Sequence, residues 1–292
     1  MQTIESLKRK IKSTEDLLSV VKTMKALAAV SIRQYQKAVE SLTDYNSTVD
    51  MGLQVVLKKQ AEQAFFTGTM PMNRLGAIIF GSDQGLCGQL NAQISSFALE
   101  EMDKLGAAME SRTVLIVGER VRDIIEDAGQ SHCECLTNPG SITGITPMVQ
   151  ETLMIIEDWH FSQQIDYIFL FYNKYISGSN FVPHMLRLLP VDKEWFERLQ
   201  RKKWESRTLP MFTLERDALF ISLLREYLFI SLYRAFAESL ASENASRLAS
   251  MQSAEKNISE RLEEIYLQFH RQRQMNITEE LLDIVAGYEV LL

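Results

Sequence analysis

Every seventh residue from Leu7 gives the series Leu7, Thr14, Val21, Ala28, Tyr35, Leu42, Val49, Val56, and every seventh from Ile4 gives Ile4, Ile11, Leu18, Lys25, Ile32, Val39, Asn46, Leu53. Thirteen of these sixteen positions are apolar, counting Ala and Tyr, and the register never slips. A strict repeat of seven keeps one seam facing a partner helix and imposes a left-handed supercoil. An ordinary amphipathic surface helix drifts against such a repeat and averages only about 11–12 residues. The pattern therefore predicts one helix over Ile4–Val56 lying along a second.

The C-terminal third supplies that second helix. Leu248, Met251, Ile258, Leu262, Ile265 and Phe269 follow steps of three and four, with Glu255 interrupting one step. Upstream, the stretch from Leu214 favours helix and is apolar nearly all round between Phe220 and Phe236, so it must be covered on several sides. Proline and glycine mark where these helices stop. All six prolines lie between Pro71 and Pro210, and ten of the thirteen glycines lie between Gly76 and Gly178. Proline removes a helix hydrogen bond and glycine raises the entropic cost of helix, so both ends of the chain are free to form long helices.

At ~1.5 Å per residue, helices over Ile4–Val56 and Leu214–Gly287 are roughly 80 and 110 Å long, too long for a compact globule of radius of gyration ~19 Å. The expected molecule is extended. Both helices join the same middle segment, so they pair antiparallel, and the longer overshoots the shorter by about 30 Å if they start level.

The middle reads as alternating strand and helix. Strands are expected at Leu75–Phe80, Thr113–Val117 and residues 166–172, with Phe181–Leu189 returning as a hairpin after the Ser-Gly-Ser-Asn turn at 177–180. Helices are expected over Leu90–Met109, Arg120–Asp127 and Pro147–Gln163. Such alternation implies a mainly parallel, Rossmann-like sheet covered by helices. The fold class is thus α/β, a long antiparallel coiled coil of terminal helices with an inserted Rossmann-like domain. Its three segments are residues 1–60, 70–212 and 213–292.

Composition changes this picture little. The 292 residues are 46% hydrophobic and 24% charged, which is ordinary for a folded protein. A net charge of −7 argues against general nucleic-acid affinity. Three cysteines, an odd number and all between Cys87 and Cys135, suggest a reducing compartment and no disulfide framework. The N-terminus lacks the apolar core of a signal peptide. Ala218–Phe236 is apolar, but Arg225, Glu226 and Arg234 lie inside it, which marks a buried helix and not a membrane span.

The candidate chemistry is sparse. Gly81-Ser82-Asp83-Gln84-Gly85-Leu86-Cys87-Gly88 stands between a strand and a helix, where phosphate-binding loops occur. It has neither the lysine of a P-loop nor the G-x-G-x-x-G spacing, so its glycines are expected to serve a tight turn. His132-Cys133-Glu134-Cys135 has no second cluster to complete four zinc ligands. Cys87 has no His or basic residue near it in sequence to activate a thiolate. His160, His184 and His270 are scattered, and no hydrolase or metalloprotease motif is present. No catalytic residue, cofactor or metal is assigned.

Charge and the C-terminus say more. Residues 1–40 carry eight basic side chains (Lys8, Arg9, Lys10, Lys12, Lys22, Lys25, Arg33, Lys37) against four acids, a local +4 on an acidic chain. Such a run is normally a solvated face, and it also suits approach to an acidic partner. Nine of the last sixteen residues are apolar, from Ile277 to Leu292. On an overhanging helix these form an exposed patch, which marks a partner site.

Three stretches carry a family resemblance. Gly85-Leu86-Cys87-Gly88-Gln89-Leu90-Asn91, Ala241-Ser242-Glu243-Asn244-Ala245-Ser246-Arg247-Leu248-Ala249-Ser250-Met251 and Arg273-Gln274-Met275-Asn276-Ile277-Thr278-Glu279-Glu280-Leu281-Leu282-Asp283-Ile284-Val285-Ala286-Gly287 closely resemble motifs of the gamma subunits of F-type ATP synthases. The likeness runs nearly the whole chain, and the C-terminal stretch is the most specific. It departs at Ser19-Val20-Val21-Lys22-Thr23-Met24, where the family usually reads Ile-Thr-Lys-Ala-Met, and over residues 192–212, which suggests a divergent or alternative-type member.

The resemblance implies a non-catalytic central stalk rotating inside a ring of alpha and beta subunits, its apolar tip turning in an apolar sleeve. It implies that Arg247, Gln274, Thr278 and Glu280, with Met24 and Lys25 on the N-terminal helix, contact loops of the beta subunits. Gly85, Cys87, Gly88 and Asn91 form the structural loop. The α/β domain is expected near an epsilon-like subunit and the membrane c-ring, on the cytoplasmic or equivalent face of an energy-transducing membrane. Two other readings stand beside it: a nucleotide-binding enzyme using Gly81–Gly88, and a coiled-coil adaptor unconnected with energy conversion.

Overall fold

The computed structural model describes residues 3–57, 74–131, 134–165, 167–191 and 211–289, together with Trp195, Arg198, Leu199, Arg201 and Trp204; the side chains of 287–289 are left aside. Two helices frame the chain, α1 (Ile4–Leu57) with 54 residues and a C-terminal helix of 74 residues (Arg216–Glu289). Between them come β1 (Leu75–Phe80), α2 (Leu90–Lys104), a 3₁₀ turn (Met109–Ser111), β2 (Arg112–Val117), α3 (Glu119–Asp127), β3 (Glu134–Leu136), α4 (Ile142–Phe161), β4 (Tyr167–Ser177) and β5 (Asn180–Leu189). The C-terminal helix is therefore α5. The fold is the expected α/β one. By contacts the chain divides into two compact units, Ala29–Ser246 and the pair Met1–Ala28 with Arg247–Leu292.

Within the larger unit the sheet order is β3-β2-β1-β4-β5. The first four strands are parallel and β5 returns antiparallel on β4. Strand periodicity of two sorts side chains onto two cores. From β1, Leu75, Ala77 and Ile79 join Ile94, Ala98 and Met102 of α2 and Val121 and Ile125 of α3. Ile78 and Phe80 face the other way, onto Ile145, Val149 and Ile156 of α4 and Leu232, Phe236 and Leu240 of α5. The sheet is thereby covered on both faces, which its nearly continuous apolar strands require.

Several element ends differ from the sequence expectation. α2 stops at Lys104 and not at Met109, closing on Gly106, whose N–H bonds the Asp103 carbonyl at 2.9 Å. α4 begins at Ile142, five residues before Pro147, which sits inside the helix. One lost hydrogen bond is tolerated there because Ile145 and Val149, on either side of the proline, are buried in the core. β3 forms an unassigned edge strand, and β4 runs on to Ser177.

The burial of α5 is also displaced. Ile221 is 53% exposed, and the residues up to Phe229 are at best partly covered except Phe220, whereas nothing from Ile230 to Ser246 is exposed. The all-round apolar run ends at Phe236, yet Ser239, Ser242, Glu243 and Ser246 are buried as well. No described helix is long and apolar enough to cross a membrane.

The heptad seam of α1 is obeyed without exception. None of the sixteen positions named from the sequence is exposed. In the smaller unit Leu7 and Ile11 pack with Leu262, Ile265 and Phe269 of α5. The Tyr266 hydroxyl donates to Glu15 at 2.7 Å. Lys25 pairs with Glu255. In the larger unit Tyr45 donates to Glu226 at 2.6 Å, and Arg216 donates from Nη2 to the Val56 carbonyl at 2.7 Å. In each unit the numbers rise on one helix as they fall on the other, so the pair is antiparallel.

Lys25 and Glu255 each looked like a fault in its own seam. They face each other, partly buried, and so become one polar contact that fixes register at a modest cost. Reversing Lys25 to Glu is expected to cost about 1–2 kcal/mol, between the values for exposed and buried pairs. The double reversal Lys25→Glu with Glu255→Lys should recover most of it, as measured by urea unfolding of the four variants.

Candidate functional site

Lys25–Glu255 and Glu15–Tyr266 set the register of the smaller unit, and extending it puts Ile4 level with about Asn276. The thirteen residues of α5 from Ile277 to Glu289 thus have no α1 residue beside them, an overhang of about 20 Å. It is shorter than the ~30 Å expected, because the local ion pair and apolar contacts fix the register here, not the far ends of the helices. Ile277, Leu281, Leu282, Ile284 and Val285 are 48–68% exposed. Val290, Leu291 and Leu292 lie outside the described residues.

Thr278 and Glu280 are exposed on this overhang and Gln274 is exposed just before it, and Thr278 Oγ1 donates to the Gln274 carbonyl at 2.9 Å. Met24 is half-buried beside Lys25. Arg247 is only 9% exposed. The basic run along α1 is at the surface, with Lys8, Arg9, Lys10, Lys12, Lys22, Arg33 and Lys37 all exposed and Lys25 alone half-buried.

The Gly-rich loop after β1 is closed by its own side chains. Asn91 Oδ1 accepts from the Ser82 N–H at 3.0 Å, and Asn91 Nδ2 donates to Ser82 Oγ at 2.8 Å. The buried Cys87 thiol lies 3.4 Å from Ser82 Oγ. Gly88 takes the left-handed backbone (φ 58°) a turn requires, but so does Leu86 (φ 63°), while Gly85 does not. From α5, Ser246 Oγ donates to the Cys87 carbonyl at 2.5 Å, and Ser242 Oγ donates to the Asn173 carbonyl of β4 at 2.8 Å. The small residues Ala241, Ser242, Ala245 and Ser246 let α5 come this close, so the motif serves to weld the long helix to the sheet.

Asp83 decides what the loop does not do. One carboxylate oxygen accepts from the Glu119 N–H at the start of α3 (3.2 Å), and the other from the Asn138 N–H (2.7 Å). Asn138 Nδ2 returns a bond to the Gly81 carbonyl at 2.8 Å. A phosphate would bind at the carboxyl ends of these strands on helix N–H groups. An internal carboxylate already takes one such N–H and repels an anion. Sequence reasoning missed Asp83, Asn138, Ser242 and Ser246, since their roles depend on residues 36 to 159 positions away.

The described residues contain no group of three or more His, Cys, Asp or Glu able to hold a metal. His132 and Cys133 lie outside the described residues. Burial pushes the Cys135 thiol up from its ordinary value, which opposes thiolate formation.

Glu238 on α5 is 9% exposed, and burial raises its carboxyl above the ordinary 4.5, with Lys174 and Arg234 opposing the rise. Glu40, Asp50, Tyr172, Tyr175 and His184 also line the two cavities that Glu238 borders. The folded chain holds this proton more tightly than the unfolded one. Glu238 therefore favours folding below the unfolded carboxylate value, and that benefit is lost as pH rises through the raised folded value. Glu238→Gln is expected to be more stable than the parent at pH 8, with the advantage vanishing near pH 4, read from urea midpoints across that range.

Comparison with known proteins agrees with this arrangement. The family model described as ATP synthase matches residues 3–291. The chain is 26% identical over 288 residues to the ATP synthase gamma chain of Buchnera aphidicola subsp. Acyrthosiphon pisum (strain Tuc7), covering 98% of each. It is 28% identical over 295 residues to that of Pasteurella multocida (strain Pm70), covering 98% of this chain and 99% of the relative.

Among solved structures, a chain of the Euglena gracilis mitochondrial ATP synthase OSCP/F1/c-ring in rotational state 3 superposes with a TM-score of 0.65 at 17% identity, covering 99% of this chain and 94% of the other. A chain of the Tetrahymena thermophila mitochondrial ATP synthase central stalk/c-ring gives 0.53 at 23% identity, over 80% and 99%. These two likenesses carry the fold, and the family match over nearly every residue carries the descent: the chain belongs to the ATP synthase family, among its gamma chains.

Proposed function

We infer that this chain is the non-catalytic central rotor shaft of an ATP synthase, transmitting torque between the membrane ion-driven ring and the catalytic ring of alpha and beta subunits. The observation that carries the reading is the bare apolar end of α5 beyond an antiparallel helix pair. Fully burying a side chain such as Leu281 or Ile284 is worth about 1.5–3 kcal/mol, so this end calls for an enclosing apolar sleeve. The exposed basic face of α1 suits acidic loops on the surrounding ring, attracting them without locking one orientation.

Residues 1–60 and 213–292 act as the shaft, and 70–212 as the domain it carries. Gln274, Thr278 and Glu280, with Met24 and Lys25, meet loops of the beta subunits. The assignment of Arg247 rests on its motif alone. The α/β domain meets an epsilon-like subunit and the c-ring. The protein is a peripheral part of a membrane-bound complex and works at the cytoplasmic or equivalent face.

The test is reconstitution with alpha and beta subunits and observation of single-molecule rotation, comparing the full chain with one ending at Asn276. None of residues 277–286 is buried in the isolated chain, so the truncated form is expected to keep its thermal midpoint within a degree or two. Torque and coupled synthesis should fall severalfold. Unchanged rotation and synthesis by the truncated form would overturn the reading.

A further inference from the structure

We propose that the larger unit holds a binding site for a free α-amino acid in the cavity where α1, the β4–β5 hairpin and α5 meet. The cavity measures about 210 Å³, below the roughly 300–1,000 Å³ usual for drug-sized ligands and suited to a small metabolite. Two charged groups of opposite sign line it with hydrogen-bonding capacity unused. Glu238, nine-tenths buried, has no protein partner for Oε2, and Arg234, one turn earlier on α5, has none for Nε. Burying either group unsatisfied costs several kcal/mol. They stand four residues apart on one helix face yet do not pair with each other.

A frame of this kind is complementary to a molecule that carries an ammonium and a carboxylate a few ångströms apart. The ammonium donates to Glu238, and the carboxylate accepts from Arg234, with the nearby Lys174 ammonium as a second cation. Tyr172, which borders the same space, offers a hydroxyl that burial keeps protonated. Trp195 and Tyr227 line the cavity too, with ring centroids 4.7 Å apart, and form an aromatic wall for the side chain of the bound amino acid. A polyphosphate is disfavoured, since Glu238 and Asp50 both present carboxylates there.

The inference does not depend on the rotor reading, and its test uses the full chain in isolation. Each of the twenty free amino acids is titrated by calorimetry, with tryptophan fluorescence as a second readout. One amino acid, or a narrow class, should bind saturably. Its N-acetyl and methyl ester derivatives should bind at least about tenfold more weakly, because each removes one of the two recognised charges. Glu238→Gln and Arg234→Met should each weaken binding by a similar factor. Glu238→Gln is expected to stabilise the chain at neutral pH, so loss of binding in that variant cannot be put down to misfolding. The proposal is overturned if none of the twenty binds at millimolar concentration, if the blocked derivatives bind equally well, or if both variants bind as the parent does.

Discussion

Phe236→Ala is expected to lower the unfolding free energy by about 3–5 kcal/mol, out of the roughly 5–15 kcal/mol typical of a native protein. Phe236 is fully buried on α5, and its ring meets Phe80 of β1 edge-on, with centroids 4.8 Å apart and planes at 87°. It stands in the core that joins α5 to the sheet, beside Leu232 and Leu240. These neighbours are anchored, Phe80 on a strand paired on both sides and the two leucines on α5 itself, so the cavity left behind has little room to collapse. The control is Ile221→Ala on the same helix, where a half-exposed side chain should cost far less. Urea unfolding followed by circular dichroism separates the two. In the assembled complex, Phe236→Ala should uncouple ATP hydrolysis from ion movement before it reduces hydrolysis, because the weld between helix and sheet gives way first.

Gly118→Ala should be nearly as damaging for a different reason. Gly118 follows β2 with φ 103°, a backbone conformation that costs any other residue about 1–3 kcal/mol. A Cβ there would also lie 2.8 Å from Gly81 C and from Ser82 N, both backbone atoms of the loop after β1. That loop is held in place by the bond from the Gly81 N–H to the Val117 carbonyl at 2.7 Å, and Gly118 itself donates to the Leu136 carbonyl at 2.8 Å. No flexible side chain is available to move aside, so the clash adds a cost of similar size. Gly129→Ala isolates the two effects, since φ is 80° there but nothing lies within 4 Å. Thermal midpoints should fall in the order parent, Gly129→Ala, Gly118→Ala. Equal midpoints for the two variants would show that the loop yields without cost.

The parts of the site were legible to different degrees. The seam of α1 could be read position by position, because a residue repeat near the helical period maps directly onto one face. The bare tip followed from counting residues in the two helices. The Gly-rich loop was identified as a turn, but not which residues make it one, since the left-handed positions fall on Leu86 and Gly88. Lys25 and Glu255 could each be seen as a break, and only the pairing of two chain segments 230 residues apart makes them a contact. On α5 the apolar run pointed to burial around Phe220–Phe236. The sheet covers the helix from Ile230 onward, beyond the run's end, and of the polar residues there the serines are small, with Ser242 and Ser246 bonded to strand and loop carbonyls.

By itself the sequence determined the lengths and directions of the two long helices, the alternation that builds the sheet, the absence of a recognisable catalytic motif and the family. These follow from local periodicity and backbone chemistry, which each segment carries with it. Only the tertiary structure decided the register of the helix pair, the use of Asp83 in place of an anion, the bonds from Ser242 and Ser246, and the cavity that leaves Glu238 and Arg234 unanswered. Those depend on which distant residues meet, and a one-dimensional pattern does not encode the relative placement of two surfaces that are each able to pack in several ways.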